Sequence, residues 1–217
     1  MSLDVAAIIL AAGRSSRLGR PKQLVPFNGR TLLRHAVQSA IYSPVESVTV
    51  VLGAFYPTLA REVRCLDARI VKNGEWSEGM GSSLKSGLRH VLAHEKKAYD
   101  GFLFLTCDQP LVDESMLSDL YCEFSSREDI VAASYNATVG VPAIVGRAHL
   151  ENLLNLKDDA GARALLKSND VSVKKVPCRG GEFDIDTASD LVRLKKIHRW
   201  WASGSKRKDQ PEAFLTP

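Results

Sequence analysis

The run Val5-Ala6-Ala7-Ile8-Ile9-Leu10-Ala11 leads straight into Ala12-Gly13-Arg14-Ser15-Ser16-Arg17-Leu18-Gly19-Arg20-Pro21-Lys22. Seven uninterrupted apolar residues that stop at a glycine match a strand buried on both faces of a parallel sheet; a half-exposed strand would alternate. Open parallel sheets bind their ligands beyond the carboxyl ends of the strands, so the loop after this run is the first place to look for chemistry. Its small residues allow close backbone approach, and Arg17 and Lys22 are residue types that meet phosphate oxygens. The familiar phosphate loops do not match: Gly19 is followed by Arg20-Pro21-Lys22-Gln23, against GxxxxGK[ST], and Gly13 by Arg14-Ser15, against GxGxxG. A basic surface loop with solvated arginines is the competing reading.

Outward from this run, strand-then-helix order repeats. Thr31 is placed to cap a helix through about residue 41, with Leu32, Leu33, Ala36, Val37 and Ala40 at helical spacing, and residues 46–52 read as a second strand. An amphipathic segment near 56–64, a short strand at 68–71, a helix from about 80 to 93, the buried run at 101–106, a helix near 113–124 and a strand at 129–134 continue the alternation. The order predicts an α/β protein built on a single three-layer, doubly wound, mostly parallel sheet of Rossmann-like type. Beyond residue 137 the rhythm breaks. An extended segment at 138–145 is followed by helices near 147–154 and 160–167, strands near 171–176 and 182–185, and a last helix from about 187 to 201. Residues 1–202 therefore read as one domain and 203–217 as a flexible basic tail.

The 217 residues are 45% hydrophobic and 25% charged, which excludes a disordered or collagen-like chain. The net charge of +4 is unevenly spread: residues 5–45 hold six bases and no acid, residues 193–217 hold seven bases and two acids, and the body between is acidic. Lys206-Arg207-Lys208 has no interleaved aromatics and no recognisable module beside it, so no nucleic-acid partner is expected. Cys65, Cys107, Cys122 and Cys178 are widely spaced without a CxxC or a Cys/His cluster and read as reduced thiols. The first apolar run is too short to span a bilayer and is preceded by an acid, so no membrane association and a cytoplasmic location are expected.

Two further places carry candidate chemistry. Asp108, in Thr106-Cys107-Asp108-Gln109-Pro110, follows the third buried strand, where a carboxylate can hold Mg²⁺ on a nucleotide phosphate; a simple turn is its alternative role, and Asp113 reads as a helix cap. In Phe183-Asp184-Ile185-Asp186-Thr187, strand alternation places Asp184 and Asp186 on one side, so either can face a cation held by Asp108, with capping by Asp186 or Thr187 as the rival. His35, His90, His94, His149 and His198 fall at unrelated places and read as surface or helix-end residues. Trp76 is a candidate lining of an acceptor pocket, whereas Trp200 and Trp201 read as pins for the last helix.

Six ordered motifs now stand together: Leu10-Ala11-Ala12-Gly13-Arg14-Ser15-Ser16-Arg17-Leu18-Gly19 with Lys22; Asn73-Gly74 and Gly79-Met80-Gly81-Ser82-Ser83-Leu84 with Gly87; Asp108-Gln109-Pro110; Gly140-Val141-Pro142; Asp159-Ala160-Gly161-Ala162-Arg163; and Asp184-Ile185-Asp186-Thr187. From Ala7 to about Leu191 the chain resembles the molybdopterin nucleotidyltransferases, and most closely their cytidylyltransferase branch. The resemblance implies transfer of CMP from CTP to molybdopterin with release of pyrophosphate. It implies nucleotide contacts from Leu10, Ala11, Ala12, Gly13, Arg17, Lys22, Gly79, Ser82, Ser83 and Asp108, with Arg17, Lys22 and Asp108 catalytic. Asp108 and Asp186 would hold Mg²⁺, Pro142 and Arg163 would face the acceptor, and a recipient molybdoenzyme is an implied partner. Ala12-Gly13 stands where the guanylyl branch has Gly-Gly, which favours CTP over GTP. The chain departs from the family pattern at Leu18, Val141, Asp158 and Ala188, and an Arg163–Asp159 pair that only supports its helix is the alternative for Arg163. The alternatives in function are transfer to an isoprenoid or sugar phosphate, GTP as donor, and a non-catalytic molybdoenzyme maturation factor.

Overall fold

The computed structural model describes residues 2–94, 96, 98–135, 138–166 and 171–202, without the side chains of 163, 164 and 198–202. The elements in chain order are β1 (Val5–Ala11), β2 (Pro26–Phe27), β3 (Arg30–Thr31), α1 (Leu32–Ile41), β4 (Ser47–Leu52), α2 (Tyr56–Val63), β5 (Arg69–Lys72), α3 (Met80–His94), β6 (Gly101–Thr106), α4 (Glu114–Glu123), β7 (Ile130–Tyr135), β8 (Thr138–Gly146), α5 (Leu150–Leu154), α6 (Ala162–Leu166), β9 (Val173–Pro177) and α7 (Ala188–Ala202).

Seven strands form one sheet in the order β5-β4-β1-β6-β8-β7-β9. β1 lies in the middle, parallel to β4 on one side and β6 on the other, and every one of its residues is buried. Alternate β1 side chains feed opposite layers, as the period of two demands. Val5, Ala7, Ile9 and Ala11 pack with α1, α2 and α4, while Ala6, Ile8 and Leu10 pack with α3, α5 and α6. Each fully buried Ile, Leu or Phe in these layers contributes roughly 1.5–3 kcal/mol. The expected three-layer, mostly parallel architecture is present. Its exception is β8, which runs antiparallel to both β6 and β7 and accounts for the break in rhythm after residue 137.

Both expected caps form. Thr31 accepts the amide of Arg34 at the start of α1, and Asp113 accepts that of Met116 at the start of α4, each worth about 1 kcal/mol. Two features differ from the sequence expectation. The segment 22–31, to which no element is assigned above, contains a hairpin whose turn residues Asn28 (φ 48°) and Gly29 (φ 75°) both adopt the left-handed conformation that its tight reversal requires. Residues 182–185 form no strand. Phe183 and Ile185 are buried against Phe27, Leu111 and Leu194 as alternation demands, but the segment joins no described strand.

The tail 203–217, with its basic cluster, lies outside the described residues. No described helix is long and apolar enough to cross a membrane. None of the four cysteines is in a disulfide; Cys107 and Cys178 are buried, and Cys65 and Cys122 are exposed.

Candidate active site

β1 and β6 are neighbours whose onward connections leave in opposite directions, which opens a crevice at their carboxyl ends. A cavity of about 290 Å³ occupies it, lined by the first loop from Leu10 to Arg14, by Lys22 and Gln23, by the α3 side from Trp76 to Ser83, and by Thr106, Cys107 and Asp108. A larger apolar hollow of about 370 Å³ lies between the hairpin and α7. It shares no residue with the carboxylates described next, so we place the chemistry in the smaller cavity.

The first loop is held open by a residue the sequence reading passed over. Gln23, 1% exposed, donates its amide to the carbonyls of Ala11 (3.1 Å) and Gly13 (2.8 Å). Its oxygen accepts from Ser15 Oγ, which in turn accepts from the Lys22 amide. The Ala12 carbonyl is taken by the Ala54 amide. With three successive carbonyls occupied, the loop offers a ligand chiefly its N–H groups. The missing side chain at Gly13 faces open space, and Arg14, not singled out in the sequence, lines the cavity.

At Lys22 and Asp108, which line the cavity, four charged residues meet. Lys22 Nζ lies 2.6 Å from Asp108 Oδ2 and 2.8 Å from Asp186 Oδ1, and Arg17 is 2.7 Å from Asp186 Oδ2. Burial by itself lowers the Lys22 pKa, but Asp108 and Asp186 outweigh it and hold the ammonium above the usual lysine range, so Lys22 is charged at every working pH. Asp186 reaches this cluster through the chain rather than through a strand. The Ile185 amide donates to the Asp108 carbonyl, and a Thr187–Asp190 capping box then starts α7: the Asp190 carboxylate accepts from the amides of Asp186 and Thr187. Thr187 is thus the cap, leaving Asp186 free for the site, while Asp184 is exposed.

Asp108 Oδ1 is buried without a hydrogen-bond partner. An orphaned carboxylate oxygen next to a second carboxylate is a donor set that suits Mg²⁺, which takes one or two protein carboxylates and completes its shell with phosphate and water. Among the described residues no three His, Cys, Asp or Glu side chains cluster, so a fully protein-built metal cage is absent there. Burial, aided by the neighbouring Asp108 charge, pushes the Cys107 thiol up to about 12, so it stays protonated and is no nucleophile.

The remaining site expectations divide. Leu10, Ala11, Ala12, Gly13, Lys22, Gly79, Ser83 and Asp108 line one cavity. Arg17 is outside it, with a side chain 73% exposed, and Ser82 points away to the carbonyls of Glu75 and Gly79. Pro142 is buried within β8, at the register shift where β7 and β8 leave a gap in their ladder, and does not line the cavity. The Arg163 side chain lies outside the described residues, and with it the proposed pair to Asp159. Trp76 packs against Gly53 and lines the same cavity as Ala12. His35 is a buried core residue rather than a surface one, bonded through Nε2 to the Val112 carbonyl and edge-on to Phe27.

Comparison with known proteins agrees with this geometry. Residues 7–173 match the family model described as the MobA-like NTP transferase domain. A nicotine blue oxidoreductase from Paenarthrobacter nicotinovorans is 31% identical over 203 residues, 88% of this chain and 96% of the relative. The purine catabolism protein PucB of Bacillus subtilis is 29% identical over 206 residues, 86% and 94% of the two chains. Among solved structures, Rv0371c from Mycobacterium tuberculosis H37Rv is 26% identical with a TM-score of 0.76, covering 90% of this chain and 100% of its own; a complex of that protein with manganese is also known. The chain belongs to the MobA-like NTP transferase family of nucleotidyltransferases.

Proposed function

We propose that the protein transfers CMP from CTP to the terminal phosphate of molybdopterin and releases pyrophosphate. The observation that carries the reading is the Lys22–Asp108–Asp186 cluster, with a buried, unbonded Oδ1 on Asp108, a residue that lines the cavity of about 290 Å³ beyond β1 and β6. The Ala12 methyl and Trp76 narrow that cavity, which favours a pyrimidine over a purine.

An acceptor phosphate oxygen attacks the α-phosphorus of CTP, a new P–O bond forms, and the bond to the β-phosphate oxygen breaks with its electrons leaving on pyrophosphate. The nucleophile is already anionic, so alignment and charge neutralisation carry most of the catalysis. Lys22 and Arg14 supply positive charge where the pyrophosphate leaves, Gln23 keeps the first loop in shape, and Asp108 with Asp186 would hold the divalent ion. When bound, that ion neutralises the charge growing on the bridging oxygens. The manganese complex of the Mycobacterium protein supports a divalent cation here; Mg²⁺ is our assignment.

The test is pyrophosphate release with Mg²⁺, each of the four NTPs and molybdopterin. Release with CTP is expected, and Asp108→Asn should reduce it a hundredfold or more, on the order of 3 kcal/mol of transition-state stabilisation. Turnover of Asp108→Asn within a few-fold of wild type would sink the assignment. The 31% identical relative bears an oxidoreductase name, which favours a redox reaction in the same cavity as the second reading. Oxidation of a reduced nicotinamide or flavin cofactor, with no pyrophosphate released from any NTP, would favour it instead.

A further inference from the structure

Asn73 follows β5 and is 4% exposed, and its backbone amide is fixed on the Leu52 carbonyl. Its side-chain oxygen accepts the backbone amide of Glu75 at 2.9 Å. A backbone N–H can only donate, so this bond decides which end of the side-chain amide is oxygen. The NH₂ end then has two protons and two oxygens to meet: Ser82 Oγ at 3.0 Å and Ser83 Oγ at 3.1 Å.

The two serines differ in what happens to their own protons. Ser82 sends its proton to the carbonyls of Glu75 or Gly79. Ser83 has no such acceptor among the described residues, although it is buried and lines the cavity. A helical serine commonly bonds the carbonyl four residues back. For Ser83 that is Gly79, but the hydroxyl that reaches the Gly79 oxygen is that of Ser82, and Ser83 makes no such bond among the described residues. With an Asn73 proton on one lone pair of its oxygen and its own proton unspent, the hydroxyl has a proton left to donate, and the open direction is the cavity. The wall around it, formed by Trp76, Gly79 and Met80, carries no cation, and Glu75 and Glu78 stand nearby in sequence. Such a wall suits a neutral nucleoside and repels phosphate.

We propose that Asn73 is a positioning residue that fixes the Ser83 hydroxyl as a hydrogen-bond donor to an acceptor atom of the bound nucleoside. The proposal rests on the nucleotide site proposed above and adds the residue that sets its polarity. Titration calorimetry on the full chain with Mg²⁺ and either CTP or inorganic tripolyphosphate tests it. Ser83→Ala and Asn73→Asp should each weaken CTP about fivefold to tenfold, the worth of one neutral hydrogen bond. In Asn73→Asp the introduced carboxylate can only accept, so it draws the Ser83 proton away from the cavity. The double variant should bind CTP within about twofold of the weaker single variant, Ser83→Thr should bind like wild type, and tripolyphosphate should be unchanged throughout.

Losses that multiply in the double variant, a Ser83→Ala that binds CTP normally, or a parallel loss of tripolyphosphate would overturn the proposal. Should Asn73→Asp fail to fold, Asn73→Ala takes its place in the cycle: without the amide the Ser83 hydroxyl is free to turn back to the helix, and the same non-additivity is expected. A wild-type protein that binds no NTP refutes the nucleotide site and the inference together. Tight CTP binding that ignores both substitutions refutes the inference alone.

Discussion

Removing the Lys22 ammonium offers a direct measure of the electrostatics of the site. Bonds of 2.6 and 2.8 Å to one nitrogen place an Asp108 oxygen and an Asp186 oxygen at most about 5.4 Å apart. All three side chains are largely buried, at 17%, 16% and 26% exposed. In Lys22→Met the two carboxylates face each other without the charge between them, and two unit charges at that separation repel by about 3 kcal/mol at an effective dielectric of 20. Arg17 still pairs with Asp186, but from an exposed position that offsets only part of this. A loss of about 2–3 kcal/mol of stability at neutral pH follows, roughly 5–10 °C in Tm for a chain of this size. The same geometry gives the loss a signature. A divalent cation between the carboxylates replaces the missing charge, so millimolar Mg²⁺ should restore most of the Tm of the variant while moving wild type much less. Differential scanning calorimetry of both proteins, with and without Mg²⁺, reads the two effects. A Lys22→Met protein that melts with wild type, or whose Tm ignores Mg²⁺, would refute the reasoning.

Gln23→Ala leaves the carbonyls of Ala11 and Gly13 without their donor, at about 2–3 kcal/mol, and should raise the KM for the nucleotide more than it lowers kcat; equal effects on both would indicate that the loop is not what it shapes. Gly53→Ala puts a methyl against Trp76 and 2.9 Å from the Ala12 Cβ, so it should cost about 1–3 kcal/mol and weaken nucleotide binding, read by Tm and titration. Burial first, and then the Arg30 charge, lower the His35 pKa, so the unfolded chain binds its proton before the folded one does as pH falls. The His35 contribution is therefore intact above about pH 6.5 and is lost below it, by at most about 1.4 kcal/mol per pH unit, and His35→Gln should flatten that part of the stability–pH curve in denaturant titrations.

What could be read from the sequence was whatever depends on local composition. The apolar run of β1 announces a central strand because burial on both faces leaves no alternation, and the small residues after it mark where a backbone can meet a ligand. Asp108 was visible for the same reason: it is the carboxylate at the end of the next buried run. Gln23 was not visible, and Asn73 stood out only as part of a motif without its bonding, because a polar side chain becomes structural only through partners, and the partners of Gln23 are carbonyls 10 and 12 residues away. The hairpin did carry a signal, the pair Asn28-Gly29, but its strands of two residues are too short for alternation to show. The basic segment 5–45 is less uniform in function than its charge implied. Arg14 and Lys22 line the cavity, whereas Arg30 and Arg34 are spent on Gln38 and on the Glu62 carbonyl.

The start of α3 sets the division of labour in the site. A helix N-terminus beside a nucleotide cavity would ordinarily attract phosphate. Here its amides are already committed: Gly81 donates to the Asp158 carbonyl at 2.8 Å, and the Ser82 amide lies 3.4 Å from the same oxygen. The backbone at 157–160 approaches so closely that a side chain at Gly79 or Gly81 would collide with it. Lys85 fastens the same turn through the Leu156 carbonyl and the Asp158 carboxylate. In the proposed nucleotide site, positive charge for a triphosphate would therefore come from Arg14 and Lys22 across the cavity, and α3 would contribute neutral contacts such as Ser83. The turn that leads into α6 is in turn clamped to the start of α3, which lines the cavity. If that turn contacts the acceptor, the two substrates are held against one rigid body, and alignment of their phosphates is built into the packing of glycines on backbone rather than left to a moving loop.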